Sequence, residues 1–71
     1  MVTKIMLENQ CEILNRLTKN EYYIGYENGK CHLFMKAGNG RATIDYGNTK
    51  NLLSEKLWCL INVLEREARD V

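Results

Sequence analysis

The stretch Glu21-Tyr22-Tyr23-Ile24-Gly25-Tyr26-Glu27-Asn28-Gly29-Lys30-Cys31-His32-Leu33-Phe34-Met35-Lys36 sets two extended segments on either side of an Asn-Gly pair. Both central residues tolerate positive φ, which a type I′ turn requires, and that turn matches the twist of the flanking strands. A two-residue loop also fixes the register. Tyr26 then faces Cys31, Ile24 faces Leu33 and Tyr22 faces Met35 on one side of the sheet. On the other side Glu27 meets Lys30, Tyr23 meets Phe34 and Glu21 meets Lys36. Opposite charges and aromatic rings landing across from one another support this register, because such pairs stabilise an antiparallel ladder. A slip of one residue would exchange the two faces.

A third strand extends the hairpin. A type II′ loop at Gly38-Asn39, or a four-residue loop over 37–40, sets Met35 against Ala42, Leu33 against Ile44 and Cys31 against Tyr46. The apolar side stays apolar throughout. The pattern predicts an antiparallel meander of residues 21–27, 30–36 and 41–46 with the second strand in the centre.

Helical periodicity flanks the meander. Over residues 2–19, Val2, Met6, Ile13 and Leu17 share a stripe widened by Leu7 and Leu14, with Gln10 near its middle and Cys11 at its margin. Asn20 is a candidate left-handed terminator. Residues 47–49 (Gly47, Asn48, Thr49) supply a break and N-caps for a second helix over 50–69, where Glu65 and Arg69 form an i,i+4 pair. The expected fold is α+β, in the order α-β-β-β-α, with both helices on the Tyr22/Ile24/Tyr26 side of the sheet. Seventy-one residues allow one such domain, 1–71, with a small core.

Composition narrows the function classes. A net charge of +1 provides no overall field for nucleic acid or membrane. No stretch reaches the roughly 20 apolar residues of a membrane span, and the N-terminus lacks the basic segment and apolar run of a secretory signal. Three widely spaced cysteines fit reduced thiols, so a cytoplasmic location is expected. Cys31 and His32 are strand neighbours on opposite faces and cannot share one metal ion, and no C-x-x-C spacing exists. The Gly38-Asn39-Gly40 turn joins strands rather than opening a helix, unlike a phosphate loop. No catalytic, metal-binding or cofactor-binding set is expected.

Two surfaces remain as candidates. The second helix is apolar over about half its circumference. Leu53, Leu57, Leu60, Ile61 and Leu64 face the core, while Leu52, Cys59 and Val63 extend the arc on one flank and Trp58 stands on the other. Surplus apolar surface on a small chain points to a partner. The sheet face away from the helices should expose Tyr23, His32, Phe34, Lys36 and Arg41, with His32 beside Asp45 as a surface ion pair. Its aromatics could stiffen the sheet, dock a protein or stack bases.

The helix–strand–strand–strand–helix order resembles the double-stranded RNA-binding domain. That resemblance implies RNA contacts from the first helix, the first strand loop and the start of the second helix. Here those fall on Asn28-Gly29, Lys50 and Lys56. The loop has only two residues, Glu55 lies between the lysines, and Leu52 and Leu53 stand where that family carries positive charge. The favoured reading is a non-catalytic protein-interaction module, self-associating as a homodimer or binding a protein partner. Phage and mobile-element products that bind a host factor include many compact, cofactor-free chains of this kind. Nucleic-acid binding is the second reading.

Overall fold

The structure, a computed structural model, describes residues 1–69. The last two positions of the expected 1–71 domain lie outside it. The element order is α1 (Lys4–Thr18), β1 (Tyr22–Glu27), β2 (Lys30–Ala37), β3 (Gly40–Asn48) and α2 (Lys50–Arg69). The sheet is an antiparallel meander in the order β1-β2-β3. The α-β-β-β-α arrangement is therefore the one the sequence predicts.

The first hairpin has the expected register at every position from Tyr22↔Met35 to Glu27↔Lys30. Asn28 and Gly29 sit at φ 52° and 73°, the values a type I′ turn demands. The second hairpin also begins as expected, with Met35↔Ala42 and Lys36↔Arg41, and Gly38 at φ 59° suits a type II′ turn. Then the register departs. Phe34 pairs with Thr43 but Leu33 pairs with Asp45, leaving Ile44 as an extra residue, and a second extra residue lies before Asn48↔Cys31. Each β-bulge lets two residues oppose one and re-aims the side chains that follow. Gly47, at φ 76°, supplies the left-handed backbone of the second.

Three sequence expectations are corrected by these bulges. Ile44 is exposed instead of flooring the core. Asp45 faces α2 and not His32, because Lys56 Nζ donates to its Oδ2 at 2.8 Å. Tyr46 does not face Cys31; its ring stacks on His32, 3.9 Å between centroids.

The core lies between the helices and the sheet. Leu7, Cys11 and Leu14 of α1 meet Cys31 and Leu33 of β2 and Leu53, Leu57 and Ile61 of α2, with Tyr22, Ile24, Tyr26 and Leu64 at the margin. Each fully buried leucine contributes on the order of 1.5–3 kcal/mol relative to an exposed one. Helix α1 is rotated from its expected orientation. Its buried stripe is Leu7, Gln10, Cys11 and Leu14, about a quarter turn from the Met6–Ile13–Leu17 line, so Met6 and Leu17 are exposed. Two polar anchors accompany this rotation. The Gln10 amide Nε2 donates to Ser54 O of α2 at 3.1 Å. Asn15 holds the start of β1, accepting from Tyr22 N–H at 2.6 Å and donating to Tyr22 C=O at 3.1 Å. The helix starts at the Thr3 N-cap and ends with Lys19 at φ 60°, one residue before the expected Asn20.

Candidate interaction surfaces

The principal helix–sheet contacts are α1 with β1 and α2 with β2, so β3 projects beyond the helical layer. That overhang exposes one flank of α2. Leu52, Cys59, Leu60 and Val63 line a shallow groove there with Glu55 and Lys56. The spacing 52, 56, 59, 63 is a seam of alternating four- and three-residue steps, which keeps it on one side of the helix. Lys56 is the polar member of the seam, and its ammonium is already engaged. It donates to Asp45 Oδ2 at 2.8 Å and to Asn48 Oδ1 at 2.9 Å, both on β3. The Lys56 bond, as the larger cause, and the Asn48 side chain, as the second, hold the Asp45 carboxyl below the usual carboxylate range. Three of the predicted partner residues, Leu52, Cys59 and Val63, thus come together.

Trp58 stands apart from them. It lies 45% exposed on the α1 side of α2, beside Met6, Asn9, Gln10 and Ile13. Leu60, which the sequence assigns to the core, is half-exposed and joins the Leu52–Val63 flank. The signal for it was its position beside Cys59 at the edge of the apolar arc.

The far face of the sheet differs from expectation in its exposure. Phe34 and His32 are only 4% and 3% exposed, although no helix covers that face. Neighbouring side chains cover them instead. The Arg41 guanidinium sits 4.1 Å over the Phe34 ring, Tyr23 lies 5.5 Å away at a tilt, and Tyr46 covers His32. Beneath Phe34, Gly25 leaves the space that its ring occupies. Arg41, Tyr23 and Lys36 remain at the surface, and Lys36 pairs with Glu21 at 3.3 Å. The rings of Phe34 and His32 are thus covered by the protein's own side chains, whereas Tyr46 is itself exposed.

His32 Nδ1 accepts the Gly47 N–H at 2.9 Å, which places the ring proton on Nε2 in the neutral form. Its nearest carboxylate is Glu27, at 4.0 Å from Nε2, rather than Asp45. The three cysteines are free thiols, Cys11 and Cys31 buried and Cys59 exposed. Burial, and secondarily Glu8, pushes the Cys11 thiol up to about 11. The same causes in the same order push Tyr26 up to about 12. Among the described residues, no group of three or more His, Cys, Asp or Glu side chains could hold a metal ion. Nor is any described helix long and apolar enough to cross a membrane.

Comparison with protein-family models, with curated proteins and with solved structures finds no match.

Proposed function

We propose that this chain is a non-catalytic binding module of the cytoplasm that self-associates through the outer flank of α2. The observation that carries the reading is the largely apolar seam of Leu52, Cys59, Leu60 and Val63, interrupted by Lys56 and left open where β3 projects past the helices. Exposing such a patch to water is unfavourable, and covering it would recover about 25 cal/mol for each Å² of apolar surface removed. Three free thiols fit a reducing compartment.

Alternative self-association routes are less open. The start of β1 is occupied by the Asn15 amide, which satisfies Tyr22 N–H and C=O as a neighbouring strand would. The β3 edge carries two bulges, a feature that discourages edge-to-edge pairing. The α2 seam has no such obstruction. Its positions 52, 55, 56, 59, 60 and 63 repeat the same spacing in either direction, so two copies can meet about a two-fold axis. In that antiparallel arrangement Leu52 packs near Val63 of the partner subunit, with Cys59 close to the axis.

Sedimentation velocity over a range of concentrations tests this directly. The expected result is a reversible dimer that Val63→Glu converts to a monomer while leaving the circular dichroism spectrum intact. Val63 is 53% exposed, so the substitution need not disturb the core. A wild-type chain that stays monomeric at its highest soluble concentration would overturn the proposal.

A further inference from the structure

His32 is an ionisable side chain buried on the face of the sheet that no helix covers, and the α2 flank makes no use of it. Strand alternation puts Lys30 and Phe34 of β2 on the same face, to either side of it. Its ring closes the second β-bulge. Nδ1 accepts the Gly47 N–H at 2.9 Å, and the Tyr46 ring lies over it at 3.9 Å between centroids and 9° between planes. Gly47, at φ 76°, is the left-handed residue of that bulge, so the bond fixes the backbone where β3 leaves its regular ladder.

The bond requires one protonation state. Nδ1 accepts only when it carries no proton, so the ring is neutral with its proton on Nε2. That Nε2–H is buried and has no hydrogen-bond partner among the described residues. Glu27 of β1 reaches toward it, with Oε2 4.0 Å from Nε2, beyond hydrogen-bond length, on a side chain that is 65% exposed. The other charged groups around the ring have different engagements. Lys30 stands across from Glu27, Arg41 of β3 sits over the Phe34 ring, and Asp45 of β3 is bonded to Lys56 of α2. The adjoining end of β3 is also incompletely bonded. Asn48 Oδ1 accepts from Lys56 at 2.9 Å, but its buried Nδ2 has no acceptor among the described residues.

We infer that His32 is a pH-sensitive latch on the C-terminal end of β3, closed while its ring is neutral and opened by protonation. A proton added at Nδ1 sets two N–H donors against each other across 2.9 Å, so the Gly47 amide must withdraw. The same proton makes the ring a cation. Glu27 then closes on Nε2–H and forms the charge-assisted bond that the neutral arrangement lacks. The two states exchange one hydrogen bond for another, and protonation of the imidazole selects between them. Imidazole ordinarily changes charge between about pH 5 and 8. The Asp45 carboxyl, held below the usual carboxylate range, stays ionised throughout that interval. Opening loosens Gly47 and Asn48, and with Asn48 one of the two acceptors that hold Lys56 beside the α2 seam. The latch lies within one subunit, so the inference does not depend on self-association.

Amide hydrogen exchange followed by NMR on the full chain, from about pH 8 down to about pH 5, reads the latch at Gly47 itself. After correction for intrinsic exchange, the Gly47 amide should lose about five- to tenfold of its protection on the acid side, the equivalent of one hydrogen bond. Chemical shifts of Tyr46 and Asn48 should follow the same transition. The amides of α1 should keep their protection, which separates a local opening from unfolding. His32→Phe retains a ring for Tyr46 to stack on but offers no acceptor, so Gly47 should be unprotected at every pH. Glu27→Gln leaves the buried ring untouched and should move the transition to lower pH, because the carboxylate favours the charged imidazole. Repeating the series on Val63→Glu should give the same transition and keeps the result separate from the oligomeric state. Gly47 protection that stays constant over the whole range in the wild type would overturn the latch. So would a transition that persists in His32→Phe, or one that Glu27→Gln leaves where it was.

Discussion

Gly25 shows how much one missing side chain can determine. A Cβ built on it would overlap Phe34 Cε2 and lie 3.1 Å from Cδ2. The ring cannot simply swing aside, since Arg41, Tyr23 and His32 enclose it. Gly25→Ala should therefore cost about 1–3 kcal/mol, the usual penalty for overpacking, although alanine is otherwise at ease in extended backbone. Urea denaturation would show the loss as a lower midpoint at unchanged slope. An alanine variant as stable as the wild type would mean the ring has room to move. The hairpin pattern pairs Tyr23 with Phe34, as observed, and implies open surface for both. Phe34 is buried only because Gly25 and the Arg41 guanidinium enclose it, and cross-strand alternation does not convey that.

At the scale of elements, β3 is held to α2 by the Lys56–Asp45–Asn48 group. Its bonds lower the folded-state pKa of Asp45 below the unfolded value. Their stabilisation is fully present above the unfolded carboxylate value of about 4 and is lost as pH falls from there through the lower folded value. Urea midpoints measured from neutral pH down into that acid window should drop for the wild type. Asp45→Asn should start lower at neutral pH and drop less, since it has no such proton to gain. Parallel curves for the two proteins would show that the bond contributes nothing, as many exposed ion pairs do. The β1–β2 hairpin was legible because its register is set locally, by two turn residues with positive φ. The far half of β3 was not. Its two bulges are selected by what Asp45, Tyr46 and Asn48 meet across the fold, and Gly47 is their sole conspicuous mark in the sequence. Helix α1 was misplaced for a related reason. It is apolar on two faces, and only the Gln10–Ser54 and Asn15–Tyr22 bonds reveal which one turns inward.

The whole molecule is a thin slab, 41 × 34 × 17 Å along its principal axes. Its radius of gyration of 12.2 Å exceeds the roughly 11 Å expected of a compact chain this long. Its accessible surface of 5136 Å² likewise exceeds the roughly 4,600 Å² typical of a monomer of 8.3 kDa. A standard interface buries about 800 Å² per partner, so covering the α2 flank would offset this excess. Self-association couples stability to concentration. A tenfold rise in protein concentration should raise the unfolding temperature by roughly 3–5 °C. The Val63→Glu variant should show no such dependence. A wild-type temperature independent of concentration would count against a dimer of marginal subunits.

The sequence by itself determined the element order, the register of the first hairpin and the existence of surplus apolar surface on α2. Those are properties of local backbone geometry and of periodicities of two and 3.6 residues, which a linear pattern carries in full. Only the tertiary structure decided where the surplus lies. Because β3 projects past the helices, Leu60 joins Leu52, Cys59 and Val63 on one open flank while Trp58 turns toward α1. It also set the His32 ring against the Gly47 amide and brought Glu27 beside it. Such groupings depend on how the layers are offset and on bulges stabilised by long-range hydrogen bonds, and neither is written in the spacing of residues along the chain.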